Sequence, residues 1–598
     1  MNRIGIFCFY DKDGIVNRYV EYFLGELMPF LERLVIVCNG ELTDSGKRKL
    51  SQFTDEIIVR PNEGYDISAY REGMLTVGWE QLACYEEVLL FNDTVYGPVY
   101  SFSELFSEMS VREKIDFWGI TRYHGHEDLQ RNKICPEHIQ SYWTVFRKRI
   151  VSSLEFQQYW RNLEKIRNYD DAVQGHEAIF TQKFEKLGYQ WDVYIDTRDI
   201  EEINSYPLLF IPHDLLSKKR CPVVKRTTFT IDYSIFLFDS LRSQAHEVLL
   251  YLQKNELYDV DLIIENLLRV AHMCDLKNNL QLNHILPEEG IVVKKCANCD
   301  TKAGLIMHLC DEEDLGESLA YLSTMPNGSE IFIMTNSKKK KERILLEAQK
   351  YVKNYLITVQ IVSNQVQNIE GMFLNAKAFI LKHDLICFGH DRKEAQIQPK
   401  SIGRGFTEKS WMGILHSKEF VENICATFMN NKHLGLLIPP LPNHSIYYGM
   451  ITKGWDGKFD VVMRLLKKMR LDVPINRKKE PIVVWGSMFW FRVDALKPLL
   501  TEVWEAESFQ EKSVAEERVE VQLIEYACSY VAQSQGYFSG WAMPASLAAI
   551  EITNLNHSIS MINKQLNQGY KIRRIQDVVK IIRKFRYFSK KYWKNKLS

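Results

Sequence analysis

The chain has 598 residues, 76 basic and 76 acidic side chains, 46% hydrophobic residues and 12% aromatics. That balance excludes disorder for the bulk of the chain, and only 30 Gly and 17 Pro exclude a collagen-like or low-complexity protein. No segment approaches the roughly 18 uncharged apolar residues of a spanning helix, and the length suits more than one hydrophobic core.

Residues 1–14 contain a short apolar run broken by Asp11 and Asp13, which is not a signal-peptide pattern, so a cytoplasmic protein is expected. The 12 cysteines agree, because Cys8, Cys38 and Cys387 sit inside apolar runs where a free thiol behaves as a small hydrophobe. Cys296 and Cys299 have ligand-like spacing, but no second such pair follows at the usual distance. Two thiols in a loop is therefore the preferred reading over a zinc site.

Read in chain order, a buried-strand pattern comes first around Gly5, followed by a second ending at Asn39. A third, Ile57-Ile58-Val59, leads to Asn62, and a fourth runs from Tyr85 to Phe91 and ends at Asn92-Asp93. The run 142–147 ends in Arg147, and Glu177 precedes Gly188-Tyr189 by 11 and 12 residues. Residues 220–285 lack strand signals and show helical periodicity instead, especially over 243–252 and 259–272.

The strand series then repeats at an offset near 300. Gly304 matches Gly5, Asn336 matches Asn39, Asn364 matches Asn62 and His390-Asp391 matches Asn92-Asp93. Arg492 matches Arg147, and Glu525 stands before Gly536-Tyr537 as Glu177 stands before Gly188-Tyr189. Strands alternating with helices imply mostly parallel sheets covered on both faces. The expected fold is α/β, with two tandem Rossmann-like domains at 1–215 and 291–555. A helical connector at 216–290 joins them, and a basic amphipathic helix at 556–598 follows.

Ligands of open α/β sheets bind beyond the carboxyl ends of the strands, where three clusters fall. Asn62, Gly64 and Asp66 form the first; a Gly there permits close backbone approach, and Asp66 suits sugar or ribose hydroxyls, although a turn with a helix cap explains the pattern as well. Asn92 and Asp93 form the second, in which a carboxylate delivered into a loop would hold a divalent cation against a diphosphate. An ordinary turn is the alternative. The third is His176-Glu177, a carboxylate suited to deprotonating an attacking hydroxyl, or a solvated helix-start Glu.

Together, the stretch Arg60 to Tyr70 with Asn62, Gly64 and Asp66, the stretch Leu89 to Pro98 with Asn92 and Asp93, and the Trp485 to Arg492 segment resemble the rhamnan synthesis protein F family over nearly the whole chain. The resemblance implies GT-A-like domains and a glycosyltransferase of Gram-positive cell-wall rhamnose polysaccharides, with distant similarity to family-two glycosyltransferases. It implies transfer of L-rhamnose from dTDP-L-rhamnose to a lipid-linked rhamnan with inversion. Glu177 would be the catalytic base, Asn62, Gly64, Asp66, Asn92 and Asp93 would bind donor, and Asp93 would hold Mg2+ or Mn2+. His390, Asp391, Arg492 and Glu525 are the second-domain candidates. That copy departs from its own pattern, since Val366 and Asn368 stand where a Gly and an Asp are expected, and a degenerate domain holding acceptor is the favoured reading. A non-catalytic polysaccharide-binding or scaffold protein, or a transferase of another sugar, is the alternative.

From 564 to 598 there are 12 Lys/Arg and one acid, Asp577, which leaves 64 basic and 75 acidic residues in the rest. Ile575, Val578, Val579, Ile582 and Phe585 recur at helical spacing between the basic residues, the composition of an interfacial anchor. An anionic membrane surface is the favoured partner, giving peripheral attachment to the inner face of the cell membrane. Docking on the protein's own acidic body competes with it. Nucleic acid is not expected, because no groove-reading or RNA-binding motif accompanies the tail.

Overall fold

The computed structural model describes residues 2–128, 133–239, 244–290, 302–311, 315–351, 355–363, 368–391, 399–441, 443–445, 447, 453–501 and 514–569. Cys296, Cys299, Asn364, Val366, the side chain of Asn368 and the tail residues 570–598 lie outside them. The chain divides into two units, Met1–Gln281 and Leu282–Ser598.

The first unit is built on seven strands: β1 Arg3–Tyr10, β2 Arg33–Asn39, β3 Ile57–Arg60, β4 Glu87–Asn92, β5 Phe117–Gly119, β6 Trp143–Arg147 and β7 Trp191–Val193. Their spatial order is β7-β5-β6-β4-β1-β2-β3. β4, β1, β2 and β3 run parallel, and β6 alone runs antiparallel to its neighbours β4 and β5. β1, β2 and β4 are apolar runs because both sheet faces are covered; Ile4, Ile6, Val35, Val37, Val88 and Leu90 are at most 2% exposed. Helix Tyr65–Val77 lies on one face with Ile67, Tyr70 and Met74 in the same apolar cluster. It packs so closely that a Cβ on Gly73 would stand 2.5 Å from the Ile6 side chain.

Among the described residues the second unit has a sheet of eight strands: β8 Asn283–Leu286, β9 Ala303–His308, β10 Glu330–Thr335, β11 Leu356–Ile361, β12 Leu385–His390, β13 Leu434–Ile438, β14 Phe489–Arg492 and β15 Phe538–Pro544. Their order is β8-β15-β13-β14-β12-β9-β10-β11. Leaving β8 aside, the seven strands take the spatial order of the first sheet, again with one antiparallel member, β14, between β12 and β13. In each sheet the order reverses between two parallel neighbours, β1 and β4 in the first and β9 and β12 in the second. Ligand crevices form at that switch point.

The helical segment expected as a connector divides differently. Residues 216–281 belong to the first unit, whereas Leu282–Leu286 opens the second and supplies its edge strand. The physical reason is a set of polar anchors on the crevice of the first sheet. Arg226 Nη1 donates to Asp93 Oδ2 at 2.8 Å, Tyr96 Oη donates to Asn266 Oδ1 at 2.7 Å, and Arg269 is ion-paired with Asp11. The expected boundary at 555/556 also falls inside a continuous helix, Ala545–Gly569.

Candidate active site

The site lies at the carboxyl ends of β1 and β4. Helix Tyr65–Val77 begins at Gly64, whose φ of +71° and position 1.9 Å (measured from its would-be Cβ) from Ser68 Oγ admit no side chain. That turn sets Asp66 in the first helical turn, facing the end of β4. Asn92 Nδ2 donates to Asp66 Oδ2 at 2.9 Å and Ser141 Oγ donates to the same oxygen at 3.1 Å. Burial, and then the nearby Glu177 charge, push the Asp66 carboxyl up to about 6. Asn62 is exposed in the preceding loop, outside this network.

Glu177 closes a five-residue π-helical turn, Val173–Glu177, that leads into helix Ala178–Lys186. Such turns recur at functional sites because the extra residue re-aims one side chain. Glu177 Oε1 accepts from the Ser141 N–H at 2.9 Å. Ser141 is itself held by Tyr70, whose hydroxyl donates to its carbonyl at 3.0 Å. Glu177 also lines a pocket of about 250 Å³ with Tyr123, His138, Gln140, Tyr169 and Tyr206. His176, the neighbour named with it, is not in that pocket. It is buried against Trp160 and Phe180, shares a 2.6 Å hydrogen bond with Tyr159, and burial pushes it down to about 3.

Asn92 and Asp93 are both buried, and only Asn92 joins the Asp66 network. Asp93 Oδ2 accepts from Arg226 Nη1 at 2.8 Å and from Tyr19 Oη at 3.2 Å. Burial raises the Asp93 carboxyl, and Arg226 and Tyr19 oppose it. The donor set does not fit a divalent cation, because the one carboxylate at the expected position is committed to a guanidinium. Among the described residues, no group of three or more His, Cys, Asp or Glu stands together as a metal site.

Two cations at the site were not singled out from sequence. Val224–Lys225 forms a two-residue bridge with Val95–Tyr96, directly after Asp93-Thr94. That bridge brings Lys225 Nζ to 2.9 Å from Thr94 Oγ1 and to 4.9 Å from the Tyr142 ring centre. Burial lowers the Lys225 ammonium, while Glu177, Asp66 and Asp93 pull it back up. The signal was the adjacent pair Lys225-Arg226 after a short apolar run, in a stretch otherwise read as helical. Ser141 carried no signal at all.

In the second unit the candidates separate. Asp391 follows β12 as Asp93 follows β4, but its carboxylate accepts from the backbone N–H groups of Cys310 and Asp311 at 2.8 and 2.7 Å, and burial pushes it up to about 6. His390 Nε2 is 2.7 Å from the Gly486 carbonyl, and Ser487 Oγ donates to Glu525 Oε1 at 2.5 Å. Arg492 is a correction. It pairs with Leu385 at the amino end of β12, the opposite end of the strand from Asp391, and donates to the carbonyls of Phe428 and Leu434. Arg147 does the same in the first unit, donating to the carbonyls of Met109, Arg112 and Ile115. A groove of about 550 Å³ beside Asp391 is lined by Glu317, Arg404 and the Tyr321–Trp411 pair, stacked at 4.9 Å.

An uncharacterized protein y4gN of Sinorhizobium fredii is 25% identical over 202 residues, covering 34% of this chain and 47% of that protein, so the match spans about half of the relative. Among solved structures, the apo form of the glycosyltransferase GlyE of Streptococcus pneumoniae aligns over 66% of this chain and 87% of its own, at 10% identity and a TM-score of 0.22. The 4-diphosphocytidyl-2C-methyl-D-erythritol synthase of Anaerococcus prevotii aligns over 32% and 85%, at 15% identity and a TM-score of 0.22. The family model described as rhamnan synthesis protein F matches residues 34–537, most of the chain, and the chain belongs to that family.

Proposed function

We propose that the chain is a glycosyltransferase of rhamnan synthesis, moving L-rhamnose from dTDP-L-rhamnose to a lipid-linked rhamnan with inversion at the anomeric carbon. Family membership supports the transferase role in rhamnan synthesis. The observation that carries it is the Glu177 carboxylate in the tyrosine-lined pocket, fixed by the Ser141 N–H beside a second carboxylate, Asp66. Apolar walls with a few convergent polar groups suit a sugar ring.

In this reading an acceptor hydroxyl attacks the anomeric carbon from the Glu177 side and gives its proton to Glu177. Asp66, held by Asn92 and Ser141, accepts from donor hydroxyls. The second unit holds the acceptor chain in the groove beside Asp391, where stacked Tyr321 and Trp411 supply an apolar wall and Glu317 and Arg404 supply polar partners. The basic tail attaches the protein to the anionic inner face of the membrane. A donor panel (dTDP-rhamnose, UDP-glucose, UDP-galactose, UDP-N-acetylglucosamine) with a synthetic lipid-linked acceptor tests the reading. Product from dTDP-rhamnose alone supports it, and product from another donor only changes the sugar. No transfer from any donor leaves a binding protein.

A further inference from the structure

The departing nucleoside diphosphate needs a counter-charge, and the expected ligand for a divalent ion is not available for one. Asp93 is 7% exposed and closed off by Arg226 and Tyr19, and Arg226 donates to the Asp93 carbonyl as well as to its carboxylate, both at 2.8 Å. The pair is neutral and built in. What stands next to it is a second cation. Lys225 is only partly buried, and its one hydrogen-bond partner among the described residues is a neutral hydroxyl, Thr94 Oγ1, at 2.9 Å. An ammonium has three donors, so two remain for a ligand. The charges that act on it are those of Glu177 and Asp66, the proposed sugar-binding carboxylates, and of the Asp93–Arg226 pair.

We propose that the cation facing the departing diphosphate is the Lys225 ammonium, braced by the Asp93–Arg226 ion pair, and that the first unit transfers its sugar without a divalent ion. The inference rests on the reading of that unit as a nucleotide-sugar transferase. The bond from the acceptor oxygen to the anomeric carbon forms while the bond from that carbon to the phosphate oxygen breaks. The electron pair of the broken bond leaves on the diphosphate, which gains one negative charge, and the acceptor's proton passes to Glu177. Lys225 keeps its protons throughout and offsets the new charge. A fixed cation aimed at charge that develops in the transition state is among the strongest catalytic devices, and lysine serves phosphates as a point charge. Arg226 serves Lys225 by occupying Asp93, which would otherwise pair with the ammonium and neutralise it.

The test uses the full chain, dTDP-rhamnose and the lipid-linked acceptor, in chelator and then in added Mg2+ or Mn2+. The wild type should turn over in chelator within about two-fold of its rate with metal. Lys225→Met should lower kcat by about 100-fold or more, comparable with loss of a single transition-state donor. Added metal should not restore it, and Lys225→Arg should recover part of the rate. Wild-type turnover that disappears in chelator and returns with metal overturns the proposal, whatever the variants do, and this arm does not depend on any variant folding. An unchanged rate in folded Lys225→Met also overturns it. Calorimetric titration of wild type with dTDP separates the two levels of the argument. Binding that appears only with metal removes the role of Lys225 and leaves the transferase reading standing, whereas no binding of dTDP, or of UDP in a parallel titration, in either condition removes the donor site itself.

Discussion

Asp66 and Glu177 meet at one residue, Ser141, whose hydroxyl donates to Asp66 Oδ2 at 3.1 Å and whose N–H donates to Glu177 Oε1 at 2.9 Å. The carboxylates arrive from a helix start after β3 and from a π-helical turn far along the chain, and a single serine sets their separation. Their environments differ, which suits the different tasks proposed for them. Asp66 is half-buried and accepts from Asn92 and Ser141 on Oδ2, whereas Glu177 opens onto the tyrosine-lined pocket.

Glu177→Gln should keep donor affinity and lower turnover by about 10²–10⁴, the range for loss of a general base. The amide oxygen still accepts from the Ser141 N–H, so the pocket keeps its shape. Titration of donor with calorimetry and steady-state rates check the two halves. Glu525→Gln should cost much less, and the reverse order would move the active centre to the second unit.

Asp66 has a folded pKa above its unfolded value, about 6 against 3.8. The sign follows from linkage: the protonated form is favoured by folding, so stability is fully present below the unfolded value and is lost as pH rises through 6. Asp66→Asn should therefore stabilise the first unit at neutral pH by on the order of 1–2 kcal/mol, while abolishing donor use. Denaturant titrations at about pH 4 and about pH 7.5 check it, the gain being confined to the higher pH. A mutant less stable at neutral pH would mean that the Asn92 and Ser141 hydrogen bonds outweigh the burial of the charge.

His176 works in the opposite direction. Burial lowers its pKa from 6.5 to about 3, so the folded protein resists protonation that the unfolded chain accepts. Stability is lost as pH falls below 6.5, by up to roughly 2 kcal/mol at about pH 5. In His176→Gln the slope of stability against pH over about 5 to 6.5 should flatten, whatever the absolute loss from the Trp160 and Phe180 contacts. An unchanged slope would assign the acid sensitivity to other groups.

Much of the fold was legible because strands covered on both faces must be continuous apolar runs. The run around Gly5 and the one ending at Asn39 became β1 and β2, and their counterparts became β9 and β10. The second half of the site was not legible, for two physical reasons. Helical periodicity over 259–272 reports a buried face but not the surface it covers, so the packing of Arg269 and Asn266 on the first sheet had no local signature. A two-residue bridge such as Val224–Lys225 is too short to leave a pattern. Arg492 shows the opposite error. Its recurrence with Arg147 suggests chemistry, but both guanidiniums cap the carbonyl end of a preceding segment, and the repetition there is one of packing.

Arg492→Met should accordingly destabilise the second unit by about 2–4 kcal/mol, since buried carbonyls lose charge-assisted partners. Rates and donor affinity should stay at wild-type values wherever the protein remains folded. Thermal unfolding beside an activity assay checks both. A loss of activity without a loss of stability would return Arg492 to the site.

Deleting residues 570–598 should release the protein from membranes and spare transfer to a short soluble acceptor. The segment carries 11 of the 12 basic residues counted from 564 onward, and every residue assigned here to chemistry lies before 530. Each basic residue near an anionic surface contributes about 1 kcal/mol, enough in sum for reversible attachment when an apolar stripe inserts beside them. The helix Ala545–Gly569 that leads into the segment already exposes Ile552, Leu555, Ile559 and Ile562, one every three or four residues, so the apolar stripe begins before the charge does. Attachment should weaken with salt, because charges are screened within about 10 Å at 0.1 M. Flotation with vesicles containing and lacking anionic lipid checks it. If the truncated chain floats as well as the intact one, the stripe on Ala545–Gly569 is sufficient by itself; if it unfolds, the segment packs on the protein's own body and the membrane reading fails.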